Sequence, residues 1–201
     1  MVATGQIGKR PALHVWDVDS LQSKMNVRLA DSDKSITAIA ISPDASIVGC
    51  TEGGNDHNTY FYNVADKSLL FSDSADKSNK INDMAFCPTN KRAVTVGQRH
   101  IKFWDMSAKK GEKGMQGNFR DKVGKYGDSY KAAAFDKDGI CYTAGYDGCI
   151  WAFKERNMCG KHEAHKGVVG CITYMKESHC LATGGKDGNC MIWNIEGNNL
   201  T

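Results

Sequence analysis

Five threonines, Thr4, Thr51, Thr95, Thr143 and Thr183, recur 47, 44, 48 and 40 residues apart, each one or two residues before a glycine. An aromatic answers each of them, Trp16, Tyr62, Trp104, Phe153 and Trp193, at intervals of 46, 42, 49 and 40 residues. Two independent markers with one period of roughly 40 to 50 residues define an internal repeat, and a unit that short buries its apolar face only by stacking on its neighbours. The fold is therefore an array of one small unit.

The last unit shows the internal layout most clearly. Three runs rich in β-branched and aromatic residues, Val168 to Met175, Cys180 to Thr183 and Cys190 to Ile195, are separated by the turn signals KES and GGKDGN, which predicts three consecutive antiparallel strands. The pattern recurs as ITAIAIS, SIVGCTEG and NTYFYNV, as INDMAFCP, RAVTVG and HIKFWD, and as YKAAAFD, GICYTAG and GCIWAFK, each set followed by a looser fourth strand such as SLLFS or MQGNF. No apolar period of 3.6 persists for ten residues, so helices are expected to be absent or confined to a turn. Four antiparallel strands per unit of this length predict an all-β chain and a β-propeller, whose blades bury one another's faces around an axis.

Composition narrows the functional classes. The apolar content of 41% is sufficient for a packed core, and the net charge of +3 is far below the strongly basic stripe of a dedicated nucleic-acid binder. MVATGQIGKR lacks the apolar run of a secretory signal, and no stretch approaches the length of a membrane helix. An intracellular, soluble protein with no nucleic-acid or membrane partner is expected. The eight cysteines form no CxxC pair and several sit inside apolar strand patterns, which favours free buried thiols over a disulfide or zinc framework. GKHEAH, with Cys159, His162 and His165, lacks a fourth ligand, and KGEKGMQG lacks the spacing and strand-to-helix context of a phosphate loop. Neither a metal nor a cofactor is predicted.

The turn Gly185-Lys186-Asp187-Gly188 and the strand ends Trp16-Asp17, Trp104-Asp105 and Trp193-Asn194 resemble the WD-repeat family. The final unit is similar to that family in a buried hydrogen-bond set of His165, Thr183, Asp187 and Trp193, a structural network in which a turn carboxylate accepts from a histidine oriented by the hydroxyl and the indole. His165, Thr183 and Asp187 invite comparison with a catalytic triad. The same threonine stands in every unit while the other members drop out, with Arg99 four residues after Thr95 and Gly8 after Thr4. A structural role therefore outweighs a catalytic one, and no enzyme activity is expected. His57 and His100, at the starts of third strands, are assigned turn-stabilising roles.

A closer resemblance runs through nearly the whole chain. VATGQIGKRPALHVWD, NDHNTYFYNV, VTVGQRHIKFWD, KGEKGMQGNF, AHKGVVGCITY and ATGGKDGNCMIW are similar, in order, to the echinoderm microtubule-associated protein-like family. The resemblance implies a propeller that binds tubulin and microtubules, located in the cytoplasm on the cytoskeleton and extending to cilia or flagella. A generic WD-repeat scaffold for a signalling, ubiquitin-ligase or trafficking complex is the alternative. The segment from Lys109 to Lys131 carries seven basic residues against three acidic ones, a net +4 interspersed with glycines. Lys109, Lys110, Lys113, Arg120, Lys122 and Lys125 are thus candidate tubulin contacts, since a basic segment attracts acidic protein tails in a salt-dependent manner; a plain solvated loop is the competing reading. Exposed aromatic candidates are Tyr126, Tyr130 and Tyr146.

Residues 1–201 are read as one propeller segment of about four to five blades: an incomplete blade over 1–30, blades over 31–76, 77–125 and 126–164, and an incomplete blade over 165–201. The chain opens on a second-strand sequence, VATG, and ends on a third-strand one, NCMIWNI. A fragment of a longer propeller, self-associating through its open ends, is the expectation, because unpaired edges and faces are a liability that complete rings avoid.

Overall fold

A computed structural model describes residues 1–29, 35–89, 92–108, 114–119, 129–197 and 199–201, and among them there is no helix. Among the described residues nineteen strands form five antiparallel sheets in chain order. The first holds β1 (Val2–Gly5), β2 (Ala12–Trp16) and β3 (Ser23–Arg28). The second comprises β4 (Ile36–Ile41), β5 (Ile47–Glu52), β6 (Asn58–Asn63) and β7 (Leu69–Ser74), and the third β8 (Ile81–Phe86), β9 (Arg92–Gly97), β10 (His100–Asp105) and β11 (Gly114–Gln116). The fourth is built from β12 (Tyr130–Phe135), β13 (Ile140–Gly145), β14 (Cys149–Lys154) and β15 (Asn157–Glu163). The fifth contains β16 (Val169–Met175), β17 (Cys180–Gly185), β18 (Cys190–Glu196) and β19 (Asn199–Leu200). The architecture is a partial β-propeller. Where sequence patterning stops at three strands in the last unit, the structure adds a two-residue fourth, because Gly197 with φ 64° turns the chain back onto the end of β18.

Strand alternation puts one row of apolar residues on each face of a sheet, so the core consists of four slabs, one between each pair of neighbours. Leu13, Val15 and Met25 meet Val48, Cys50 and Tyr62 between sheets one and two. Phe61 meets Met84, Ala93 and Trp104 in the next slab, and Val94, Val96 and Phe103 meet Cys141, Trp151 and Phe153 in the third. Tyr142, Ile150 and Ala152 pack on Val169 and Leu181 in the fourth. The first strands β4, β8, β12 and β16 lie side by side across these slabs.

Each of those first strands carries a register shift near its start, between Ile36 and Ala38, Ile81 and Asp83, Tyr130 and Ala133, and Val169 and Cys171. A bulge frees a backbone group from the ladder, and in sheet four the neighbouring sheet takes it up. Asp83 accepts a hydrogen bond from the Ala133 N–H at 3.0 Å, and the Asn82 amide donates to the Tyr130 carbonyl at 2.7 Å. Burial raises the Asp83 carboxyl above its ordinary range.

Candidate functional site

The Asp-Gly turn between β17 and β18 places Gly188 at φ 81°, a conformation that glycine adopts without steric cost, and aims Asp187 back towards the segment entering β16. His165 Nδ1 lies 3.0 Å from Asp187 Oδ1, His165 Nε2 lies 2.9 Å from Thr183 Oγ1, and the Trp193 indole donates to that oxygen at 2.9 Å. With Asp187 ionised, Nδ1 carries the proton and Nε2 accepts from the hydroxyl. The Asn189 backbone N–H, with further donation from Lys166 N–H and His165, holds the Asp187 carboxyl down at about 2. Thr183 is buried and its oxygen already accepts from the indole while its proton is committed to the histidine. The chemistry available to this set is locking, since a nucleophile needs a free, approachable oxygen.

Sheet three contains the same chemistry with its positions exchanged. His100, at the start of β10, meets Thr95 Oγ1 with Nε2 at 2.9 Å, and the Trp104 indole donates to that oxygen at 3.0 Å. The acid comes from the segment before β8: Asp76 Oδ2 lies 3.4 Å from His100 Nδ1, too long and poorly aligned for a good hydrogen bond. In sheet five the histidine precedes the first strand and the acid sits in the second turn; in sheet three the two have traded places. Counting four residues from Thr95 lands on Arg99, but this hairpin turns through Gln98 and Arg99 alone, with Gly97 opposite His100. The Thr95, His100 and Trp104 part of the network therefore persists here, and it is the shorter turn that hides it. His57 also reaches this corner, its Nδ1 lying 3.0 Å from the Asp76 carbonyl oxygen.

The remaining sheets keep parts of the set. In sheet four Trp151 stands two residues before the repeat aromatic Phe153 and donates to Asp147 at 3.3 Å, while Lys161 from β15 pairs with the same carboxylate at 2.9 Å and lies 4.4 Å from the indole centroid. Lysine thus substitutes for the missing histidine. In sheet two Thr51 bonds Thr59 at 3.0 Å and Glu52 accepts from Asn58 at 2.7 Å; in sheet one the Trp16 indole donates to Thr4 at 3.4 Å. Asp76 and Lys161 escaped the sequence reading, and His100, assigned there a turn-stabilising role, bonds the buried Thr95 hydroxyl. An acid five residues before Ile81, where His165 stands four before Val169, is the signal that would have found the exchange.

The candidate tubulin contacts Lys109, Lys110, Lys113, Arg120, Lys122 and Lys125, and Tyr126, lie outside the described residues. Tyr130, expected to be exposed, is buried, because it starts the inner strand β12 and stacks edge-on against Trp151. Tyr146 is exposed, with the Lys131 ammonium 5.7 Å from its ring. Phe119, expected on a fourth strand, follows β11 and packs edge-to-face on Trp151 and Phe153 of sheet four, at 6.0 and 5.5 Å. All eight cysteines are free, but Cys171 and Cys190 are exposed. Among the described residues no cluster of His, Cys, Asp and Glu is arranged to hold a metal.

A family model described as "Echinoderm microtubule-associated protein first beta-propeller" matches residues 1–201. The ciliary WD repeat-containing protein ctxp80 of Euplotoides octocarinatus is 29% identical over 96% of this chain and 27% of its own length. Echinoderm microtubule-associated protein-like 1 of Rattus norvegicus is 24% identical over 96% of this chain and 25% of its own. The chain thus spans about a quarter of the length of these relatives. The crystal structure of the computationally designed Ika8 protein superposes with a TM-score of 0.70 at 20% identity, covering 96% of this chain and 55% of that one, and shares the fold.

Proposed function

Because the chain belongs to the echinoderm microtubule-associated protein family of β-propellers, we propose that it is a non-enzymatic, microtubule-binding WD-repeat protein that contacts tubulin. The observation that carries this reading is the match to the family's first propeller over residues 1–201. The ciliary relative supports a place on the cytoskeleton of the cytoplasm and of the cilium or flagellum. The residues form one propeller segment whose units run over 1–30, 31–76, 77–125, 126–164 and 165–201. Its threonine hydroxyls serve the sheets, which leaves binding, carried by loops on a rigid scaffold, as the activity.

Lys109, Lys110, Lys113, Arg120, Lys122 and Lys125 supply the attraction for acidic protein tails. Co-sedimentation of the full chain with microtubules over a salt series tests the reading. Pelleting that weakens as salt rises is expected; no pelleting at low salt would remove tubulin and leave a scaffold for other proteins. Replacing Lys109, Lys110 and Lys113 together by Glu is expected to weaken pelleting, and an unchanged curve removes this segment from the contact.

A further inference from the structure

On the rim where first and third strands begin, the acids of the locking sets are turned inward: Asp76 faces His100, Asp147 pairs with Lys161 and Asp187 with His165. The cations of the same turns and strand starts are left to solvent. Lys77, Lys80, Arg99, Lys131, Lys166 and Lys186 are all exposed, and none has a carboxylate partner among the described residues. Across sheets three to five one described carboxylate on this rim is exposed, Glu163 at the end of the outer strand β15. The opposite rim shows no such excess, since three of its turns carry both signs side by side: Lys137 with Asp138, Glu155 with Arg156 and Lys176 with Glu177. By drawing its acids inward, the locking chemistry leaves one rim positive.

Two of these cations meet an aromatic at the junction of sheets three and four. Ser129 ties the corner together: its hydroxyl accepts from the Arg99 N–H at 3.2 Å, and its carbonyl accepts from the Tyr146 N–H at 2.8 Å. The Lys131 ammonium stands 5.7 Å from the centre of the Tyr146 ring. Tyr146 is the one exposed Phe, Tyr or Trp among the described residues, and such a ring offers an apolar face with a polar tip. Two cations and an aromatic held on a hydrogen-bonded frame suit carboxylates carried on a chain, whose methylenes and backbone can lie on the ring.

We propose that the corner formed by Arg99, Lys131 and Tyr146 seats an acidic, extended peptide segment of the partner protein, the identity of that partner resting on the microtubule-binding role proposed above. Arg99 and Lys131 pair with carboxylates of the segment, and Tyr146 supports the chain between them. Stacked sheets lie about 10 Å apart, the length of about three extended residues, so a segment crossing from sheet four to sheet five meets Lys166 and Lys186 while remaining extended.

Fluorescence anisotropy of labelled hexaglutamate with the full chain tests the corner without microtubules. Binding at low salt that weakens as salt rises is expected. Arg99→Glu combined with Lys131→Glu should weaken it by about tenfold or more, because two exposed pairs become repulsions. Tyr146→Ala should weaken it by a smaller factor. Lys137→Glu combined with Lys176→Glu makes the same charge change on the opposite rim and should alter binding little; circular dichroism checks that each variant is folded. A parent chain that does not bind the peptide overturns the proposal, as do equal losses from the two double variants, which would reduce the effect to net charge. Tighter binding of a short single-stranded DNA than of the peptide also overturns it, by making the rim a phosphate site. Microtubule pelleting of the same proteins is read separately: a parent that binds hexaglutamate through this corner but does not pellet keeps the corner and removes tubulin, whereas pelleting with peptide binding unchanged in Arg99→Glu/Lys131→Glu keeps tubulin and removes the corner.

Discussion

His100 meets the buried hydroxyl of Thr95 at 2.9 Å, the distance at which His165 meets Thr183, although one histidine begins a third strand and the other precedes a first strand. The hydroxyl is the fixed point of both arrangements. In each it links an imidazole to an indole N–H, so its removal strands two buried polar groups.

Thr95→Val should therefore cost about 1–3 kcal/mol, the range for leaving buried partners unsatisfied. Thr143, also buried, makes one long bond of 3.4 Å to the Trp151 carbonyl, and Thr143→Val should cost about 1 kcal/mol or less. Urea unfolding of the two variants compares them directly, and equal losses would show that the network adds nothing beyond a single hydroxyl.

Burial pushes the His100 pKa down to about 4, against an opposing pull from Asp76. A histidine held neutral in the fold binds more protons when unfolded, so its contribution to stability is complete above the ordinary value of 6.5 and is lost as pH falls towards 4. Unfolding midpoints should fall across that window. An NMR titration in which His100 protonates near pH 6.5 would contradict the effect at its source.

Asp187 has the opposite kind of shift, a carboxyl held down at about 2 from an ordinary 3.8, chiefly by the Asn189 N–H. A depressed acid stabilises the fold above its unfolded value and loses that contribution as pH falls through its folded value. Asp187→Asn should be less stable than the parent at pH 5, and the two should converge as pH approaches 2. Parallel curves down to that pH would place the stabilisation elsewhere.

Phe119 is half-buried but stacks edge-on against two rings of the next sheet. Phe119→Ala should cost about 3 kcal/mol or less, below the span for a fully buried phenylalanine. Thermal unfolding reads the loss, and an unchanged midpoint would mean that the segment after β11 is not anchored by this ring.

The all-β array was legible because the threonine and aromatic markers keep one register in sheets one, three, four and five; in sheet two Thr51 stands one residue further along, and Cys50 takes the equivalent place two residues from the partner of Tyr62. Thr4 opposite His14 on β2 and Thr183 opposite Met191 on β18 occupy corresponding places. The network of sheet five was legible because all four members stand where the repeat puts them. That of sheet three was not, because hydrogen bonding requires the right groups in space and is indifferent to which segment delivers them. A hairpin of two turn residues moved the histidine onto β10, and the acid was supplied by Asp76. Tyr130 was placed at the start of the strand YKAAAFD but expected to be exposed, whereas its ring is buried at the start of that inner strand.

Since each slab joins only adjacent sheets, the molecule behaves thermally as a short row of coupled units, with stability given by the units plus the contacts between neighbours. Sheets two, three and four are held from both sides, sheets one and five from one. The amides of β9 and β13, in sheets packed on both faces, should be the last to exchange with solvent.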